Sequence, residues 1–395
     1  MNPWRSAFAL DPEVVFLNHG SYGACPVAVL EAQAALRAEL ERQPVLFFRD
    51  FKRRLDVARE AVASFVGAEV DDLVFVRNAT SGVNAVLGSL ALRPGDELLV
   101  TDHGYGACRN AAEHVAKRAG ARVVVVKVPF PSAGPGEVVE RVLAAVTGRT
   151  VFALIDHVTS PTGLIFPVEV LARELSLRGV TVMIDGAHGP GQVDLDLTAL
   201  GEAGVGYYAA NFHKWTCAPK GSGCLWARRD RPGLSDAQGG LHPAVISHGY
   251  RARPGVNRLH EEFDWCGTDD PTPWLATPTA IEVVGAMHPD GWAGLRKEHH
   301  ALVVAARQKL CEVVGVEVPA PEATLGSLAT VPLPGAFGGT AFDSDPLQEA
   351  LWQRFRIEVP VFGLASGGRA LRVSAHRYNA AADYERLARA LLEVS

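Results

Sequence analysis

Little in this chain of 395 residues marks a specialised environment. Its 38 lysines and arginines are scattered among 44 acids, for a net charge of -6, so no basic field presents itself to nucleic acid. No CxxC pair occurs, and Cys25, Cys108, Cys217, Cys224, Cys266 and Cys311 lack histidines at zinc-ligand spacing. That argues against a metal centre and a disulfide frame, and for reduced, mostly buried thiols. The apolar run Val123 to Val126 is far too short to cross a bilayer, and Met1 to Ser6 has no basic region leading into an apolar one. These features read as a cytoplasmic chain with neither membrane nor nucleic acid as partner. No internal repeat is visible.

What is present is an ordinary folding composition, 48% hydrophobic and 21% charged, long enough for a large domain, a smaller one and a cleft. From about Asp71 to Ala227 short β-branched runs alternate with amphipathic stretches. This is the pattern of an α/β fold with a mainly parallel, helix-flanked sheet. The strands fall at Leu73–Val76, Glu97–Val100, Val123–Val126, Val151–Ile155, Val182–Ile184 and Gly206–Ala209. Pro26 to Arg42 and Val45 to Val66 read as helices before the sheet, a Gly- and Pro-rich connector runs to Pro273, and helical periodicity returns from Trp274 to Val314. The rest alternates strand and helix as a small α+β unit, with strands at Leu328–Val331, Ile357–Val359 and Leu371–Val373 and helices at Asp345–Phe355 and Ala380–Leu392. The expected division is an arm over 1–25, a large domain over 26–285 and a small C-terminal domain over 286–395 that takes in part of the arm.

Ligands of such sheets bind beyond the carboxyl ends of the strands, and three polar segments fall there. Asn211-Phe212-His213-Lys214-Trp215 follows one strand and is succeeded by a Gly/Pro turn containing Lys220. A lysine placed in a cleft can lose its proton and attack an aldehyde as a neutral amine, although either lysine alone would also suit a surface loop. Asp185-Gly186-Ala187-His188 follows Val180 to Ile184. A buried carboxylate there can hold a protonated pyridine nitrogen, or merely cap the next helix. Asn78-Ala79-Thr80-Ser81-Gly82 opens a helix with free N–H groups and hydroxyls, which suits a phosphate or a plain N-cap.

The order of these segments resembles aminotransferase class V, the fold-type I pyridoxal 5'-phosphate (PLP) enzymes, and within it an isopenicillin N epimerase-like group that also contains carbon-sulfur lyases. The similarity extends to Phe16 through Gly23, Thr101 through Ala107, Asp156 through Gly163, Trp265 through Pro271 and Leu371 through Ala375. It implies that Lys214 holds PLP, that Asp185 pairs with the pyridine nitrogen and that His188 lies beside the ring. Ala79, Thr80, Asn211 and His213 are implied as phosphate contacts. Tyr105 is implied as the stacked ring, with His103 as its rival, and Thr159, or Ser160, as a contact to the phenolic oxygen. Asn18, His19 and Arg372 are expected on the substrate side, since a guanidinium matches an α-carboxylate with two prongs. Gly267 and Thr268 resemble a turn that reaches the neighbouring subunit's phosphate, which implies a homodimer with shared sites.

A lysine freed from the cofactor can take the Cα proton of an amino acid, and three outcomes diverge from there. Reprotonation on the other face epimerises, with Tyr105 or a water held near His19 as the acid; loss of a sulfur group makes a lyase; protonation on the cofactor makes an aminotransferase. The resemblance puts the epimerase first and the lyase second. A desulfurase would need a mobile cysteine in the small domain, and none follows Cys311. A non-catalytic binding protein would be expected to have lost one of Lys214, Asp185 or Arg372.

Overall fold

The computed structural model describes residues 2–228, 240–251, 255–335, 338, 344–365 and 367–394. Its strands are β1 Val15–Phe16, β2 Leu73–Val76, β3 Glu97–Thr101, β4 Arg122–Val126, β5 Thr150–Asp156, β6 Thr181–Gly186, β7 Val205–Asn211 and β8 Gly223–Ala227. Toward the C-terminus follow β9 Leu328–Leu333, β10 Ile357–Glu358, β11 Val361–Gly363 and β12 Arg369–Ser374.

A seven-stranded sheet in the order β2-β8-β7-β6-β5-β3-β4 forms the centre. Only β8 runs against its neighbours, β2 and β7. The carboxyl ends of β2, β3, β5, β6 and β7 therefore share one edge. Strands covered on both faces need apolar side chains throughout, as in β5, β6 and β7. Side chains that alternate along a strand then divide between two cores. Val182 and Ile184 join one core with Leu55, Val62 and Leu171, whereas Met183 joins the other with Val83, Ala112 and Leu225. The valines of β4 are largely half-exposed because that strand is an edge.

The C-terminal part is a three-stranded antiparallel sheet, β11-β12-β9, packed by helices Gly291–Val314 and Ala381–Val394. β1 pairs in parallel with β10, which draws the N-terminal residues into this part of the molecule. No helix of the described residues is long and apolar enough to cross a membrane.

Three readings change in detail. The helix expected over Val45 to Val66 is two, Pro44–Arg49 and Phe51–Val66, and the turn at Asp50 lets Phe47 and Phe51 both bury. The helical stretch from Trp274 is broken into Thr272–Leu275, Thr277–Gly285 and Gly291–Val314. The connector contains a short helix, Arg258–Asp264, whose N-cap Asn257 accepts from the N–H groups of Leu259 and His260; residues 229–239 and 252–254 of that connector lie outside the described residues.

Candidate active site

Between β7 and β8 the chain makes a tight loop that projects Lys214 from the sheet edge. The loop is tied by the Phe212 N–H to the Ser222 carbonyl at 3.0 Å and the Cys217 N–H to the Lys214 carbonyl at 2.9 Å. Gly23, at φ +72°, lies against it so closely that a Cβ would come within 2.0 Å of the His213 carbonyl oxygen, so only glycine fits. The Lys214 amine points inward and lies 3.0 Å from Nε2 of His188. Burial, followed by the positive charge of Arg372, lowers it to about 8. Lys220 is exposed instead and donates to the Gly23 carbonyl at 3.1 Å. The structure thus separates the two lysines, and only Lys214 faces Asp185.

Asp185, at the end of β6, is 3% exposed. Its Oδ1 accepts from the Ala187 N–H at 3.0 Å, and its Oδ2 accepts from the Cys108 thiol at 3.1 Å. Asp156 ends β5 directly opposite Asp185 in the parallel register and is equally buried. Burial and then the charge of Asp185 push Asp156 well above the usual carboxylate range. Burial raises Asp185 too, but the Cys108 thiol, the Ala187 N–H and Lys214 act to hold it down. Like charges so close cannot both persist in a dry site, so Asp156 keeps a proton and Asp185 is the anion.

The helix Ala79–Gly88 starts at this edge, capped by Asn78, whose side-chain oxygen accepts from the Ser81 N–H at 2.8 Å. The N–H of Ala79, an expected phosphate donor, is given to the Asn211 side-chain oxygen at 2.7 Å, which ties the loop to the end of β7. Thr80 occupies the first turn, where helix N–H groups point outward. His213 donates from Nδ1 to the Ser222 carbonyl at 3.1 Å, and burial lowers it to about 4. Its Nε2 is then an acceptor and would have to be protonated to meet a phosphate.

Tyr105 caps the helix Gly106–Ala119 and leaves 49% of its surface open, close enough to Cys108, Tyr22 and Asp185 for their charges to help burial raise its hydroxyl. His103 is buried, with Nε2 on the Val128 carbonyl at 2.9 Å and Nδ1 on the Thr162 hydroxyl at 2.8 Å, a structural placement. The Thr159 hydroxyl is spent within its own turn, accepting from the Leu164 N–H at 2.9 Å and meeting the Thr162 hydroxyl at 2.7 Å.

Arg372, on β12, is 5% exposed and reaches across from the small sheet. It donates to the Ser160 carbonyl at 2.5 Å, the Ser160 hydroxyl at 3.2 Å and the Ser21 hydroxyl at 3.0 Å. No carboxylate neutralises it among the described residues, and its Nε has no hydrogen-bond partner there. Asn18 stands one step back: it accepts from the Ser21 hydroxyl at 2.6 Å and donates to Glu358 at 2.9 Å. His19 is fully buried, with one nitrogen on the Tyr378 hydroxyl at 2.8 Å and the other on the Lys214 carbonyl at 3.0 Å. It holds the lysine's backbone, with no nitrogen left over for a substrate. Its ring stacks on His376 at 4.0 Å, 16° from parallel, and Cys217 lies beside both; Nε2 of His19 must donate to the Lys214 carbonyl and so offers no lone pair to an ion there. Gly267 and Thr268 lie on an exposed loop and line a cavity of about 270 Å³ together with Phe48, Phe75, Ser81 and Trp274, a lining that does not include Lys214.

Two contributors escaped the sequence reading. Asp156 had a signal, since β5, like β6, ends an apolar run in aspartate. Cys108 had none, because a place nearly one helical turn past Tyr105 gives no hint of a strand-end carboxylate beside it.

The Aminotransferase class-V family profile matches residues 26–387. An isopenicillin N epimerase of Amycolatopsis lactamdurans is 37% identical over 99% of this chain and 98% of its own. A probable L-cysteine desulfhydrase of Arabidopsis thaliana is 32% identical over 95% of this chain and 82% of its own. Among solved structures, the apo cysteine desulfurase of Thermococcus onnurineus NA1 superposes with a TM-score of 0.79 at 18% identity, covering 99% of this chain and 96% of that one. The last similarity establishes the fold.

Proposed function

This chain belongs to the aminotransferase class-V family and uses that family's PLP, and we propose that it is an epimerase, which removes the Cα proton of a carboxylate-bearing amino-acid substrate and delivers another proton to the opposite face. The residues fit the cofactor: Lys214 for the aldehyde, Asp185 for the ring nitrogen, the helix start at Thr80 for the phosphate and the open ring of Tyr105 for stacking. When bound, PLP supplies the aldehyde that captures the substrate amine and a ring that withdraws electrons from Cα.

The observation that carries this reading is the convergence of a lysine amine lowered to about 8 with a buried aspartate and a buried arginine that has no acid partner among the described residues. Arg372 takes the substrate carboxylate by two parallel hydrogen bonds and so orients Cα. Lys214, lowered to about 8, has a ready neutral fraction near physiological pH, and in that form it accepts the Cα proton. Asp185 keeps its negative charge where positive charge must be held, and Asp156 keeps its proton. The Tyr105 hydroxyl, held protonated by its surroundings, is the donor to the opposite face.

The relatives named as isopenicillin N epimerases, at 37% and 35% identity, place epimerisation first. The desulfhydrase relative supports a second reading, loss of sulfide from cysteine. Incubation with isopenicillin N or L-cysteine in deuterated water separates them. Deuterium at Cα with an accumulating second stereoisomer supports the first, pyruvate with sulfide replaces it by the second, and no Cα exchange in any amino acid refutes both. A homodimer in which Thr268 serves the partner's phosphate belongs to the same proposal, and an active monomer in sedimentation would remove it. So does a cytoplasmic location, which the six free thiols support and cell fractionation would test.

A further inference from the structure

We propose that Trp215 is a positioning residue whose indole N–H fixes His188 as the Nε2–H tautomer, and that this tautomer holds the Lys214 amine neutral. The inference rests on the reading of Lys214 as the cofactor-binding base.

Three side chains form a line. The Trp215 indole nitrogen lies 3.2 Å from Nδ1 of His188, and Nε2 of His188 lies 3.0 Å from the Lys214 amine. An indole N–H can only donate, so Nδ1 must present its lone pair. A neutral imidazole carries one proton, which is thereby placed on Nε2 and aimed at the lysine nitrogen. A neutral amine has a lone pair to receive it. An ammonium has three donors and no acceptor, so it would meet the N–H head on. An imidazolium is excluded by the same contact, since a proton on Nδ1 would face the indole N–H.

The rings have little freedom to escape this arrangement. Trp215 and His188 are buried, and the indole is flanked by His19 at 5.0 Å and His376 at 6.3 Å. The charges around the line pull in both directions. Burial and Arg372 favour neutral Lys214, whereas the Asp185 anion favours the ammonium. His188 faces Lys214, Arg372, His213 and His19, all of which disfavour its protonation. The Asp185 anion would draw a proton onto Lys214, and the Nε2–H of His188 is the group in direct contact that opposes it. The tautomer thus favours the free amine, the form that can attack an aldehyde or take a proton, over the ammonium.

Nitrogen NMR of the full chain labelled with [15N]histidine, with His188 assigned by its loss in His188→Asn, reads the tautomer without altering Trp215. Protonated Nε2 with bare Nδ1 is expected, and protonated Nδ1 would overturn the proposal. Acetylation of Lys214 against pH in the cofactor-free full chain, followed by peptide mapping, reads the amine. Trp215→Phe frees the imidazole to switch, so the midpoint should rise by about one pH unit. An unmoved midpoint in a variant with unchanged circular dichroism would mean that Trp215 only packs. Hydride reduction of the holoenzyme tests the underlying reading separately: cofactor fixed elsewhere than Lys214 would sink that reading, while the tautomer result would stand or fall by the NMR.

Discussion

Replacing Arg372 by methionine should separate binding from stability. The guanidinium makes three hydrogen bonds to neutral acceptors, worth about 1 kcal/mol each, or about 3 kcal/mol together. Against this stands the cost of a buried charge without a counter-ion. Burial lowers Arg372 from its ordinary range to about 10, and a lowering of that size corresponds to roughly 3 kcal/mol against the charged form. The two nearly cancel. Arg372→Met should therefore leave the melting temperature within about 2 °C of the parent. The same change removes two charge-assisted hydrogen bonds to the substrate carboxylate, about 1.5–3 kcal/mol in all, so KM should rise roughly ten- to hundredfold. Calorimetry on the cofactor-loaded protein and steady-state kinetics supply the two readings. A clear loss of stability with KM unchanged would show that Arg372 is a structural cation and that the carboxylate binds elsewhere.

Asp185→Asn should fold, since its amide oxygen can still accept from the Ala187 N–H while its NH2 turns toward the Cys108 sulfur, a weak acceptor, but should lower kcat at least about a hundredfold by removing the charge opposite the cofactor ring; an unchanged kcat would refute that role. Stability should fall steeply as pH drops from about 6.5 toward 4. Burial lowers His157, His213 and His376 to about 4, and His19, His188 and His299 well below their ordinary value. The unfolded imidazoles take up protons near 6.5 and the folded ones do not, so unfolding gains protons throughout that window and stability rises with pH across it. A melting temperature independent of pH there would contradict the neutral assignments. Of six free cysteines only Cys266 is exposed, so a thiol reagent should label one site in the native protein, and Cys266→Ser should abolish it. Fast labelling of a second site would reopen the desulfurase reading.

The strands were legible because buried parallel strands must be apolar on both faces, and Lys214 and Asp185 because each follows such a run at the edge where ligands bind. Side-chain commitments were not legible. Thr159 reads as a free hydroxyl in sequence, yet a turn closing on Leu164 and Thr162 absorbs it. His19 reads as a residue of the cleft, and its burial under His376 and Tyr378 follows from the pairing of β1 with β10, residues 342 positions apart. The Asp156–Asp185 pair depends on the register between β5 and β6, which no local spacing announces. The break at Asp50 likewise answers to tertiary packing of Phe47 and Phe51, since the helical period runs through it unchanged.

The assignment of Lys214 is tested most directly by reducing the holoenzyme with borohydride, digesting it and locating the cofactor by peptide mass. Lys214, in contact with His188, should carry the phosphopyridoxyl group in full, and Lys214→Ala should carry none while retaining its fold. The group on Lys220, which the structure leaves exposed on the Gly23 carbonyl, or on no lysine, would contradict the assignment.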